Sequence, residues 1–330
     1  MIIKIDNNTI VNDIKNFFIS KNIKFQELIF ETNTYFCLSE ELNENDLRFI
    51  ENVAQGIVFN ETGYYFVSRS FKNETSQIRV KDKVVGTDKL TIIGGPCSVE
   101  SLEQMTNIVT YLKDSATDFL RAGIFKPRTS PYSFQGLGSE GLAILKQTKE
   151  NYPIVCELTS VEQVEKYAHD IDIIQVGARN MQNFELLKAL AQTKKPIILK
   201  RGFNATINEW LLAAEYIFVE GNPNIILCER GIRSFENAYR NVTDINAIAY
   251  LKKMTHLPII IDPSHSTGNA SIVEDVALGC IMAGADGLIV ETHYNPETAL
   301  SDGAQSLDKE QYLSLVKKAV KLKEFINNSL

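Results

Sequence analysis

The sequence predicts an α/β chain, a (β/α)8 barrel preceded by a small α+β module. Three observations carry this reading. From Leu90 onward, short Ile/Val-rich runs alternate with longer helical patterns, in about eight units. Residues 1 to 70 have a different order: strand, helix, two strands, helix, strand. Polar residues recur at the C-terminal end of each later strand, where such barrels build their sites.

In the first module, Met1–Ile5 reads as a strand and Asn8–Phe18 has apolar residues near helical spacing. Phe25–Phe30 and Tyr35–Leu38 read as strands, Asn43–Ala54 as a second helix, and Gly56–Val67 as one or two further strands. This βαββαβ order is that of a ferredoxin-like fold. The module holds no His, Cys, Asp or Glu cluster with ligand spacing, so regulation is its expected role rather than catalysis. Residues 71 to 89 are polar with two β-prone pieces, a linker and then a hairpin.

The barrel occupies residues 90 to 330. Its expected strands are Leu90–Gly94, Asp118–Ala122, Ile154–Glu157, Asp172–Val176, Pro196–Lys200, Asn224–Cys228, Pro258–Asp262 and Gly287–Glu291. Helical patterns lie between them, from Leu102–Lys113 through Ile272–Ala283, and Gln311–Ile326 closes the series. A doubly wound open sheet would call for G-x-G-x-x-G after its first strand, and the chain has G-G-P-C-S-V-E there.

A net charge of -7 argues against a general nucleic-acid role, so anionic ligands must be held by local basic clusters. M-I-I-K-I-D-N-N lacks a signal-peptide pattern, and no apolar run is long enough to span a membrane. Five scattered cysteines fit a reducing cytoplasm.

Two sets of residues separate by chemistry at the strand ends. Cys97, His265, Glu291 and Asp302 form a mixed S/N/O group suited to one divalent transition metal. Arg121, Lys126, Arg128, Arg179, Lys200 and Arg230 are too many cations for one phosphate. They point to two phosphorylated substrates, or to a phosphate and a carboxylate, with acids such as Glu157 and Glu229 balancing the charge. The stretch Arg121–Gly138 is stiffened by Pro127 and Pro131 and carries Thr129, Ser130 and Ser133. A metal-dependent aldolase would not need the second anion site. A barrel kept only as an amino-acid sensor would be expected to lose part of one set.

The motifs G-G-P-C-S-V-E-S, F-K-P-R-T-S-P-Y-S-F-Q-G-L-G, I-I-Q-V-G-A-R-N-M-Q-N-F, I-L-K-R-G, I-L-C-E-R-G-I-R, I-D-P-S-H-S-T-G and A-L-S-D-G-A-Q-S-L run in this order over about Leu90–Val320. Together they closely resemble 3-deoxy-D-arabino-heptulosonate 7-phosphate (DAHP) synthases of the I-beta class. The resemblance implies a metal-dependent transferase on a (β/α)8 barrel that opens the shikimate pathway of aromatic amino acid biosynthesis. It condenses phosphoenolpyruvate with erythrose 4-phosphate. C3 of phosphoenolpyruvate attacks the aldehyde carbon, water adds at C2, and phosphate leaves by C–O cleavage.

By motif, the resemblance implies Cys97, His265, Glu291 and Asp302 as metal ligands, with manganese, iron, cobalt, zinc or cadmium all suitable. It implies Arg121, Lys126, Arg179, Lys200 and Arg230 for phosphoenolpyruvate, and Pro127, Arg128, Thr129 and Ser130 for erythrose 4-phosphate. Lys126 is the expected proton donor, and Glu157 the residue orienting the water. The related synthase of 3-deoxy-D-manno-octulosonate 8-phosphate, which takes arabinose 5-phosphate, is the alternative. Its cradle typically reads K-A-N-R-S where this chain has K-P-R-T-S, and its metal-free members carry Asn at the position of Cys97. The resemblance further implies a homotetramer and an aromatic amino acid effector, although Lys24–Glu31 lacks the His-x-Ser pattern that holds tyrosine in a regulated form.

Overall fold

The structure is a computed structural model, and it describes residues 1–5, 8–30, 32–54, 56–58, 63–128 and 130–329. The chain divides into two compact units, Met1–Tyr65 and Phe66–Leu330.

The first unit runs β1 (Ile2–Ile5), α1 (Asn8–Ser20), β2 (Phe25–Phe30), β3 (Asn33–Leu38), α2 (Glu44–Val53) and β4 (Gly56–Val58). Its antiparallel sheet has the order β2-β3-β1-β4, the ferredoxin-like arrangement the element order predicts. Alternate strand residues Ile3, Ile5, Phe36 and Leu38 meet Val11, Ile14, Phe18 and Ile50 from the helices in one core. This joins the period of 2 in the strands to that of about 3.6 in the helices. Asn43 caps α2 by accepting from the Asn45 and Asp46 amides. Among the described residues of Gly56–Val67, one strand forms, not two.

The second unit opens with a hairpin of β5 (Ile78–Val80) and β6 (Lys83–Val85). The barrel strands are β7 (Thr91–Gly95), β8 (Phe119–Arg121), β9 (Ile154–Glu157), β10 (Ile173–Val176), β11 (Ile197–Lys200), β12 (Ile225–Glu229), β13 (Ile259–Ile261) and β14 (Gly287–Glu291). All pair in parallel, and the ring closes through β14 to β7 and β9 to β10. The helices are α3 (Leu102–Leu112), α4 (Ser139–Thr148), α5 (Val161–Tyr167), α6 (Phe184–Gln192), α7 (Ile207–Val219), α8 (Ile245–Met254), a short α9 (Pro263–Thr267), α10 (Val273–Met282) and α11 (Lys309–Ser329).

Ile93, Phe119, Val155, Ile173, Ile198, Ile226, Ile260 and Ile289, one from each strand, join hairpin residues Ile78, Val80 and Val85 in one buried cluster. The hairpin also pairs Lys81 with Asp172 at 2.8 Å and Lys83 with Asp118 at 3.6 Å. Both acids stand just before strands, so the hairpin covers the N-terminal end of the barrel and leaves the opposite rim for chemistry. Gly94 permits a close approach on the outer side: a Cβ there would fall 1.9 Å from the Tyr312 hydroxyl of α11. Among the described residues, no helix is long and apolar enough to cross a membrane.

His256, 1% exposed, ties the start of this unit to the barrel. Its Nε2 lies 2.7 Å from the Phe66 carbonyl and its Nδ1 2.9 Å from Ser76 Oγ, which accepts from Lys72 Nζ. A neutral ring with the proton on Nε2 satisfies both contacts. Burial above all, with Lys72 and Arg69 nearby, lowers its pKa from 6.5 to about 4. Between these values the unfolded chain binds the extra proton, so this contribution to stability is present above 6.5 and is lost as pH falls. Urea unfolding should show wild type losing about 2 kcal/mol more than His256→Gln between the two pH values. Parallel pH profiles would contradict this assignment.

Candidate active site

Five barrel strands end on a charged residue: Arg121 on β8, Glu157 on β9, Lys200 on β11, Glu229 on β12 and Glu291 on β14. Parallel strands in register deliver these side chains to one rim. There a cavity of about 260 Å3 is lined by Arg121, Lys126, Pro127, Arg128, Ser130, Glu157, Arg179, Lys200, Arg230, His265 and Asp302. These are the residues the sequence singles out, apart from Cys97, Glu229, Glu291 and Thr129. Cys97 and Glu291 are buried, and Thr129 lies outside the described residues.

The cations are held in different ways. Arg121 hydrogen-bonds Glu291 through Nη1 and donates through Nη2 to the Cys97 carbonyl at 3.2 Å. Lys126 Nζ donates to the same carbonyl at 3.2 Å. Lys200 pairs with Asp262 at 2.5 Å. Burial lowers the pKa of Lys126, but Cys97, Glu291 and Glu157 outweigh it and the net shift is upward. The ammonium form is therefore favoured. Glu157 accepts from Gln175 at 3.1 Å and lies against Gly177, where a Cβ would meet its Oε1 at 2.1 Å. Arg201, also at a strand end, pairs with Glu229 and Asp244 and does not line the cavity.

The four possible metal ligands arrive from separate elements. Cys97 follows β7, His265 sits on α9, Glu291 ends β14, and Asp302 stands before a 3-10 turn in the left-handed region at φ 52°. One donor atom from each lies within 4.8 Å of all the others. His265 Nε2 is 3.4 Å from Glu291 and 3.8 Å from Asp302, while Nδ1 lies 2.7 Å from Asp262. A carboxylate behind the ring is the usual partner of a ligating histidine. Burial depresses the His265 pKa, which favours the neutral ligand form. Burial, with Glu291 and Asp302, pushes the Cys97 thiol up to about 12, and Sγ donates to Asp302 at 3.1 Å. In Glu291 burial is outweighed by His265, Arg121 and Lys126, which hold the carboxyl well below its usual range. The thiol, imidazole and two carboxylates therefore fit a divalent transition ion in donor chemistry and spacing.

A family model described as the DAHP synthetase I family matches residues 70–328. The chain belongs to that family. A phospho-2-dehydro-3-deoxyheptonate aldolase of Thermotoga maritima is 49% identical over 261 residues, 78% of this chain and 77% of the relative. A crystal structure titled as a DAHP synthase of that organism superposes with a TM-score of 0.79 at 40% identity, covering 98% of this chain and 97% of the other. A 2-dehydro-3-deoxyphosphooctonate aldolase of Geotalea uraniireducens is 33% identical, covering 73% of this chain and 96% of the relative.

Three residues placed at this rim are not among those the sequence singles out. Arg240 lines the cavity and reaches Gln305 at 2.8 Å and Asp302 at 3.5 Å. Gln305 donates to Glu291 at 2.5 Å, so Arg240 and Gln305 together link the Asp302 and Glu291 carboxylates. Phe203 is the third. Arg240 lies in a polar loop without a motif, so its only sequence signal is a charge near the rim. Gln305 does fall inside A-L-S-D-G-A-Q-S-L, where the motif marks it but its chemistry does not.

Asp262 bears on several contacts at once, capping α9 through the His265 amide at 2.9 Å as well as pairing with Lys200. Its pKa is well below the ordinary value because His265 and Lys200 outweigh burial. Asp262→Ala should cost about 3–5 kcal/mol in urea unfolding, since it leaves a buried ammonium unpaired. A loss below about 1 kcal/mol, the range of an exposed pair, would contradict this.

Proposed function

We propose that the chain condenses phosphoenolpyruvate with erythrose 4-phosphate and water to give DAHP and phosphate, as a metal-dependent synthase of the I-beta class. The observation that carries this reading is the convergence of the cation set and the Cys/His/Glu/Asp cluster on one rim.

Arg121, Lys126, Arg179, Lys200 and Arg230 bind the phosphate and carboxylate of phosphoenolpyruvate and fix its C3 toward the second substrate. Pro127, Arg128, Thr129 and Ser130 hold erythrose 4-phosphate. Cys97, His265, Glu291 and Asp302 hold the divalent ion, which supplies Lewis acidity at a carbonyl oxygen when bound. Lys126 hands a proton to the oxygen that becomes a hydroxyl. Glu157, on the cavity wall, orients the water that adds at C2. The fixed cations stabilise charge as it moves from the enol phosphate to the departing phosphate.

The octulosonate synthase reading draws on relatives at 29–33% identity. The K-P-R-T-S cradle and the heptonate aldolase at 49% favour the four-carbon sugar. The N-terminal unit is assigned to regulation by an aromatic amino acid in a cytoplasmic homotetramer. The single four-residue metal-type cluster found among the described residues lies outside this unit, which is consistent with a non-catalytic role.

Phosphoenolpyruvate consumption should proceed with erythrose 4-phosphate, stop on chelation and return on adding divalent metal. Turnover with arabinose 5-phosphate alone would transfer the chain to the octulosonate branch, and turnover with neither would overturn the reading. Lys126→Met should lower kcat by about 100-fold or more if the ammonium donates the proton. Near-normal turnover would remove that role.

A further inference from the structure

Phe203 follows β11 in the run K-R-G-F, and it lines the cavity at the barrel rim. Three guanidinium groups stand around that ring. Arg230 is 4.7 Å from the centroid, Arg233 5.1 Å and Arg179 5.4 Å. All three distances are within reach of a cation–π attraction. The Arg233 amide also donates to the Phe203 carbonyl at 2.8 Å, which ties the loop after β12 to the same residue.

Arg230 is held unlike the paired cations of this rim. Arg121 has Glu291, Lys200 has Asp262, and Arg201 has Glu229 and Asp244. Arg230 is 3% exposed, and its contacts are the His265 carbonyl at 3.2 Å, its neighbour's carbonyl at 3.4 Å and the Phe203 ring. A carboxylate in the ring's place would fix the arginine but compete with an incoming anion for its N–H groups. An aromatic face attracts the plane of the guanidinium, carries no net charge and leaves the in-plane donors available.

We infer that Phe203 is a positioning residue for anion binding, a neutral ring that fixes Arg230, and stands against Arg179, without itself occupying the in-plane donors of Arg230. The inference rests on the reading of these arginines as phosphoenolpyruvate ligands. It makes Phe203 a determinant of affinity for that substrate and leaves the other substrate's site unaffected.

The test uses the full-length metal-loaded protein, with equilibrium binding of labelled phosphoenolpyruvate and steady-state kinetics. Phe203→Leu should weaken phosphoenolpyruvate binding and raise its KM by about tenfold, with KM for erythrose 4-phosphate within about twofold of wild type. Phe203→Tyr, which keeps the ring, should restore both values. If Phe203→Leu fails to fold, Phe203→Met removes the ring at similar volume, with the same expectation. A ring-less variant that binds phosphoenolpyruvate like wild type would overturn the inference alone, as would a tyrosine variant as weak as leucine. No binding by wild type would overturn the functional reading and this inference with it.

Discussion

Crowding basic side chains around one cavity is the constraint to which the rest of this rim answers. Water no longer screens a cation taken into a barrel, so its charge must be met by an acid, a dipole, a ring or a ligand. All four solutions operate here or are provided for. Glu291 and Asp262 meet Arg121 and Lys200. The Cys97 carbonyl accepts from both Arg121 and Lys126. The Phe203 ring faces Arg179, Arg230 and Arg233. The remaining positive charge is what an anionic substrate meets.

The same acids join the cation set to the metal-type set. Glu291 pairs with Arg121, accepts from Gln305 and stands 3.4 Å from His265. Asp262 pairs with Lys200 and backs His265. Disturbing either carboxylate therefore acts on both sets at once. This coupling follows from the closed parallel topology, which brings the last residue of every strand to the same end.

Much of this was legible in the sequence, for identifiable reasons. Barrel strands buried on both faces read as runs such as I-I-L-K and I-I-L-C-E, each apolar until its last residue, so the charge at the rim marks the strand end. Strand boundaries are within one or two residues of those expected. Other features have no local signature. Pro263–Thr267 is too short for helical periodicity, yet Asp262 caps it and Pro263 starts it, and that turn presents His265. Phe203 reads as an ordinary apolar residue after a strand, because its role depends on arginines from two other loops, those after β10 and β12. Arg240 reaches the cavity through backbone bonds from residues 240 and 241 to Thr267 and Ser266, a pairing far apart in sequence. Asp302 adopts a left-handed backbone that sequence alone does not announce, although the following Gly303, where a Cβ would fall 2.3 Å from the Pro296 carbonyl, hints at a tight turn.

The central claim is that an anionic substrate completes the charge balance of this rim. Equilibrium urea unfolding with and without phosphoenolpyruvate, repeated at low and high salt, tests it without relying on turnover. The account expects phosphoenolpyruvate alone to raise stability, by about 2.7 kcal/mol at a hundredfold excess over Kd, with the gain shrinking as salt rises. An unfolding midpoint that does not move with phosphoenolpyruvate at either salt concentration would contradict it.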